Sequence, residues 1–339
     1  MKQDRNNNFF YKKKKILVTG GTGTIGSLLV KRLIDYGAEV TIASLDSFDR
    51  AKTVLGNTLN YHCIDLRDQN NCMEIVEGHE FIFHLMAVKG NTQKGISNIS
   101  KAYVSHLQCN TNMMEAAFQN KVKGYLFIGS ICEYPAIDIR HEDDAWNGPP
   151  QANDKWAGIS KLAGEAQAEA YFHEFQWDAV KILRLSNVYG PYDDFSPITG
   201  QVIPSLIAKM INANGKEVII AGDGSAIRDF IFSDDTVDAM LLAMSDAPSC
   251  LPINIGSGKG CSIKELAETI GSLVPIEPKL IFDSSLPTGD KIRVLDTRRA
   301  KEVLGYKPKT TIKEGIKKTI EWYMKNKSIA DLRGKELHG

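Results

Sequence analysis

The sequence predicts an α/β fold: a doubly wound parallel sheet followed by a smaller C-terminal α/β lobe. Three observations carry this. Short apolar strands alternate with helix-period segments through the first half. The first strand runs directly into a glycine cluster that opens a helix. After Asn187 the alternation yields to a stretch punctuated by Gly190, Pro191, Pro197, Gly200 and Pro204.

Residues 1–14 read as a polar tail without the apolar segment of a secretory leader, so a cytoplasmic location is expected. Strand one is Ile16–Thr19. Gly20, Gly23 and Gly26 follow at intervals of three, and the helix Thr24–Tyr36 carries an apolar stripe of Ile25, Leu28, Leu29 and Leu33. Missing side chains at that spacing let the backbone turn tightly, admit a diphosphate to the amides, and bring helix close to strand. The freed N–H groups and the positive end of the helix dipole face the anion. The reading is a Rossmann-type dinucleotide site.

Further strands are expected at Glu39–Ala43, Asn60–Ile64, Phe81–Leu85, Tyr125–Ile128 and Ala179–Leu183, with helices at Gln69–Glu77, Ile99–Gln119 and Trp156–Phe175. Ligands of such a sheet lie outside the carboxyl ends of its strands. Those ends carry Thr19, Ser44, Asp65, Leu85–Val88, Ser130 and Ser186–Asn187. Short helices at Ser205–Asn212, Asp234–Met244, Ile263–Leu273 and Ile312–Asn326 build the second lobe. The expected division is 15–186 for the dinucleotide domain and 187–327 for a partly interleaved substrate lobe, with 328–339 a frayed tail.

Across 339 residues, 41 basic side chains balance 41 acidic ones, so no global field favours nucleic acid or an anionic membrane. No apolar run approaches the roughly eighteen residues of a membrane span. Six cysteines without paired spacing point to reduced thiols, and no metal site is expected.

Ser130 ends a strand, where a hydroxyl can bond a sugar hydroxyl or carbonyl. Lys161 lies early in a long helix, where an ammonium can bond a ribose and lower a neighbour's pKa. With these, the runs Thr19–Gly26, Asp65-Leu-Arg-Asp68, His84-Leu-Met-Ala87, Tyr125–Ser130 and Arg184-Leu-Ser-Asn-Val-Tyr-Gly-Pro191 resemble the extended short-chain dehydrogenase/reductases that act on nucleotide sugars. The resemblance spans about Lys14 to Lys325. Asn187–Pro197, Gln201–Leu206 and Ala221–Ile231 resemble GDP-fucose synthase and other GDP-sugar enzymes most.

The resemblance implies that Gly20, Gly23, Thr24, Ile25 and Gly26 hold the cofactor diphosphate. Asp65 and Leu66 then flank the adenine, Met86 contacts the cofactor, and Lys89 reaches it near ribose or phosphate. Asn187, Lys209, Arg228 and Arg293 grip the diphosphate and base of the sugar nucleotide, and Gln201 and Val202 belong to the same site. Guanidinium forks and amides suit a diphosphate. Asp46, two residues past the end of strand two, favours NAD through the ribose, whereas Arg50 and Lys52 suit a 2′-phosphate. NAD is the expected cofactor, with tight retention in its reduced form left open. A homodimer through Ile99–Gln119 and Trp156–Phe175 is also implied.

The chain departs from the family's pattern. The signature Tyr-x-x-x-Lys has Ala157 four residues before Lys161, and alanine cannot take a proton. General-base catalysis is worth roughly 10²–10⁴ in rate. Ser130, His106, Tyr134 and Lys161 itself are candidate substitutes. Ile131 and Cys132 replace the Asp-Glu pair of dehydratases. Cys132 matches the cysteine of the Cys/His epimerase pair, but Gln201 stands where its histidine belongs. The expected function is NAD-dependent oxidation at C4 of a GDP-linked sugar to its 4-keto form. In this the chain resembles GDP-heptose 4-dehydrogenases of bacterial capsule assembly. The alternatives are a nucleotide-sugar 4-epimerase or 4-reductase, or a non-catalytic dinucleotide-binding protein.

Overall fold

The computed structural model describes residues 9–57, 60–86, 99–286 and 288–330. Seven strands form one parallel sheet: β1 (Lys15–Thr19), β2 (Glu39–Ser44), β3 (Asn60–Cys63), β4 (Phe81–His84), β5 (Gly124–Ser130), β7 (Val180–Leu185) and β11 (Pro252–Ile255). The order across it is β11-β7-β5-β4-β1-β2-β3. The order reverses beside β1, which places a crevice at its carboxyl end.

Helices α1 (Thr24–Asp35), α2 (Phe48–Leu55), α3 (Gln69–Val76), α4 (Ile99–Gln119) and α5 (Lys155–Phe175) flank the sheet. β1 and β4 are buried on both faces, hence their unbroken apolar runs. Side-chain caps start two of these five: Ser47 accepts from the Arg50 amide and Asp68 from the Asn70 amide. α2 is absent from the sequence reading because only Ala51 and Val54 along it are buried, too few for a periodic stripe.

A second sheet runs β12-β10-β14-β6, with β8 also paired to β10. Its members are β6 (Ile139–Arg140), β8 (Asn187–Tyr189), β10 (Ile227–Phe232), β12 (Gly260–Ser262) and β14 (Ile292–Leu295). β9 (Glu217–Ala221) and β13 (Lys279–Asp283) form a separate parallel pair. The remaining helices are α6 (Val202–Ala213), α7 (Ser233–Asp246), α8 (Ile263–Gly271), α9 (Arg298–Leu304) and α10 (Ile312–Lys325).

The two halves exchange elements. β11 completes the first sheet beside β7, and α7 buries Val237, Met240 and Leu241 against Leu29, Val30 and Leu33 of α1. β6, from the first half, joins β14 of the second. β10 pairs through Ile227 and Arg228 with β14, and through Phe230–Phe232 with β8. A second core, around Ile203, Ile207, Phe230, Leu266, Ile316 and Tyr323, holds the smaller lobe.

A loop from that lobe crosses α1. Tyr192 sits at a left-handed φ of 63°, uncommon for a bulky residue. Its hydroxyl accepts from Lys31 Nζ at 2.7 Å, and its ring packs 4.8 Å from Trp322 of α10. Next to it, Asp193 accepts from Thr24 Oγ1 at 3.1 Å.

Candidate active site

At the end of β1 the chain turns through Gly20, whose φ of 67° favours glycine. Gly26 permits the close approach that follows: a Cβ there would lie 2.2 Å from the Gly20 carbonyl oxygen and 2.8 Å from Gly21 Cα. Gly23 precedes α1 with extended backbone and no side-chain cap, and the first turn has no acidic residue. The helix therefore presents unsatisfied amides where a diphosphate fits. Gly26→Ala is expected to cost about 1–3 kcal/mol, the usual penalty for crowding packed atoms. It should also weaken dinucleotide affinity at least about tenfold; urea melts and titration calorimetry read the two effects. A variant that matches the parent in both would refute this account of the turn.

Asp46 lies beyond β2. Its Oδ2 accepts from Thr22 Oγ1 at 2.5 Å and from Arg50 Nε at 3.0 Å, while Tyr61 donates to its backbone oxygen. Asp65 is held by Arg67, which lowers its pKa, and Leu66 is buried against α3 and α4. The Met86 amide donates to Thr19 Oγ1, which also meets His84 Nδ1 at 2.9 Å. Burial drives the His84 pKa down to about 3, so this buried imidazole is neutral. Lys89 lies outside the described residues.

Ser130 ends β5. Its Oγ accepts the Cys132 amide at 3.2 Å, which leaves the hydroxyl proton available. Lys161, one helical turn after Ala157, is buried with Nζ 5.3 Å from the Phe127 ring centroid. Burial pushes its pKa down to about 8. Ala157 itself is exposed. His106 is buried on α4 and meets Ser160 Oγ at 3.5 Å.

Arg228 and Arg293 are register partners on β10 and β14, so their side chains share one face. Arg293 pairs with Asp154 at 2.5 Å and lies 3.8 Å from Cys132 Sγ, and its buried Nε has no hydrogen-bond partner among the described residues. Arg228 donates to the Thr288 carbonyl at 3.0 Å. These guanidiniums suit a diphosphate chemically. Burial raises the Cys132 pKa, so its thiol is protonated at neutral pH. Asn187 donates to the Asp229 backbone oxygen at 2.7 Å. Gln201 and Val202 are exposed at the start of α6, and Lys209 is half-buried further along it.

Sequence reasoning missed a buried polar network beneath Ser130. The Ser130 amide donates to Glu133 Oε1 at 2.5 Å. Arg184 Nε lies 2.8 Å from Glu133 Oε2, and the same guanidinium bonds Glu165 at 2.9 and 2.6 Å. It also donates to Tyr134 Oη and to the Glu142 carbonyl. Tyr134 in turn donates to Asn254 Oδ1 at 2.6 Å, so it is committed to the scaffold. The available signal was three ionisable residues in segments that otherwise read as buried. Asp154, the partner of Arg293, carried no signal beyond its charge.

Among the described residues, no group of His, Cys, Asp and Glu is arranged to hold a metal ion, and no helix is long and apolar enough to cross a membrane. All six cysteines are free thiols.

Residues 16–256 match the NAD dependent epimerase/dehydratase family. A GDP-L-fucose synthase of Sinorhizobium fredii is 30% identical over 324 residues, covering 93% of this chain and 96% of the relative. A GDP-mannose 3,5-epimerase of Arabidopsis thaliana is 32% identical over 317 residues, 91% of this chain and 81% of the relative. The solved structure of a GDP-mannoheptose C4 reductase from Campylobacter jejuni with NADP bound superposes with a TM-score of 0.77 at 26% identity, covering 92% of this chain and 98% of that one.

Proposed function

Because the chain belongs to the NAD dependent epimerase/dehydratase family, we propose that it oxidises C4 of a GDP-linked sugar to the ketone, with a GDP-manno-heptose as the favoured substrate. It is an oxidoreductase-type enzyme that uses a nicotinamide dinucleotide, and its relatives act on GDP-sugars. One observation carries the finer reading. Ser130 ends β5 and Lys161 Nζ lies over Phe127 of the same strand, while the two side chains that follow Ser130 are Ile131 and a protonated Cys132. Hydroxyl positioning is retained there, and the groups that would eliminate water or move a ring proton are missing.

The glycine turn and the amides of α1 would hold the diphosphate of the cofactor, and Asp46 would hold its ribose. When bound, the dinucleotide accepts the two electrons and the hydrogen removed from the sugar carbon. NAD is favoured over NADP because Asp46 already neutralises Arg50 and repels a 2′-phosphate. Arg228 and Arg293 would grip the sugar-nucleotide diphosphate, with Asp154 released from Arg293 as they do. Ser130 Oγ orients the sugar hydroxyl. A homodimer through α4 and α5 belongs to this reading, supported by the exposed Val104, Trp156 and Phe175 on those helices. Sedimentation that finds only monomer removes that part.

The test is incubation with NAD and a panel of GDP-hexoses and GDP-manno-heptoses, followed by borodeuteride trapping. Reduced cofactor equal in amount to a product labelled at C4 is the expected result. Reduction with none of the panel overturns the proposal. An inverted sugar without net cofactor reduction would instead establish the epimerase reading.

A further inference from the structure

We propose that Glu133 is a positioning residue that sets the protonation of Lys161, and that the Lys161 amine takes the sugar hydroxyl proton that the missing phenol would take. The second half rests on the C4-oxidation reading; the first stands without it.

The geometry begins on β5. Phe127 and Gly129 are two residues apart, so they face the same side of the sheet. Lys161 Nζ lies over the Phe127 ring. The Glu133 carboxylate lies over Gly129, where a Cβ would come within 2.5 Å of its Oε1. α5 covers both, and its Gly158 leaves room for the Cys132 carbonyl, since a Cβ there would lie 2.2 Å from that oxygen. Amine and carboxylate thus share one layer between sheet and helix. Lys161 Nζ makes no hydrogen bond among the described residues. With alanine one turn earlier, no side chain at 157 competes for it.

The charges are not satisfied pairwise. Glu133 and Glu165 share the single guanidinium of Arg184, so that trio carries an excess negative charge when both carboxylates ionise. Burial and the Glu165 charge hold the Glu133 pKa above the carboxylate range. Ionised Glu133 in turn stabilises the ammonium of Lys161 against the burial that lowers it. Among the described residues, the other titratable groups that act on the amine are His84 from β4, Cys109 from α4 and Cys132 from the turn. His84 is neutral, and burial holds both thiols protonated, Cys109 with a pKa of about 12. His106, also on α4, meets Ser160, the residue before Lys161.

The step balances. The sugar O–H bond breaks and its proton bonds to the Nζ lone pair. The carbon–oxygen double bond forms as the C4 hydrogen leaves with its bonding electrons, the two electrons that the NAD-dependent reaction consumes. The resulting ammonium loses its proton to water.

Competitive acetylation of Lys161 across pH, read by mass spectrometry, measures this titration without turnover. The pH dependence of kcat/KM measures it in turnover. A neutral amine is required, so activity should rise with pH through about 8. Glu133→Gln still accepts from the Ser130 amide but carries no charge. It should move both profiles about one unit lower, the scale of one nearby charge. Glu165→Gln frees Arg184 for Glu133, which then ionises more readily, and should move both profiles higher. A labelling profile unmoved in Glu133→Gln overturns the proposal. Should that variant not fold, an unmoved profile in Glu165→Gln does so. Labelling that shifts while wild-type protein reduces no cofactor with any GDP-sugar leaves the Glu133 role standing and overturns Lys161 as the base.

Discussion

Lys161→Met is expected to lower kcat by about 10²–10⁴, the worth of a positioned proton acceptor. Methionine is of similar length and apolar, so it can lie over the Phe127 ring without leaving a void. The fold should survive, and urea melts should stay within about 1 kcal/mol of the parent. Lys161→Arg is the sharper companion. It keeps a cation near the cofactor but cannot shed its proton at any working pH, so it should be nearly as slow as methionine. Single-turnover kinetics with the preferred GDP-sugar separates the two roles. If the arginine variant retains most of the rate, the amine binds and does not accept a proton.

Arg184→Met is the largest stability change expected, about 3–5 kcal/mol, because removing one partner of a buried ion pair strands the other charges. Here it strands two. Arg184 is 1% exposed, and Glu133 and Glu165 are 0% and 4% exposed. Tyr134 and the Glu142 carbonyl lose a donor at the same time. The pH dependence has a definite sign. Glu133 already has a raised pKa in the folded protein. A group raised on folding contributes stability below its unfolded pKa and loses it as pH rises through the folded value. The deficit of Arg184→Met should therefore shrink on acidification toward the ordinary carboxylate range and widen toward neutrality. Denaturant midpoints at two pH values decide it, and a deficit independent of pH would mean that the carboxylates are not what is stranded.

The parallel sheet, the glycine turn and the long helices were legible because each is written in local sequence. Ile99–Gln119 is legible as a helix because its buried positions, Ser105, His106, Cys109, Asn110, Met113, Met114, Ala116 and Ala117, recur at helical spacing. The strands of the second sheet were not legible. β6 and β14 are short and pair across about 150 residues, so no local period announces them. α9 was missed for the same reason as α2: only Ala300 and Leu304 along it are buried. At the site, Ser130 and Lys161 stood out as strand-end and helix-start groups. The Glu133–Arg184–Glu165 trio did not, because its logic is a charge count among three elements that meet only in the fold. Cys132 and Asp154 likewise acquire a shared meaning only through Arg293, which reaches both.

The loop that carries Tyr192 touches α1 at Thr24, by its first turn, and at Lys31, about two turns on. Its far side is wedged against Trp322. Two anchor points on one rod leave no pivot between them. Any hinge motion of the smaller lobe along this flank would first have to part Lys31 from the Tyr192 hydroxyl and Thr24 from Asp193. The left-handed backbone at Tyr192 is the small standing cost of that brace.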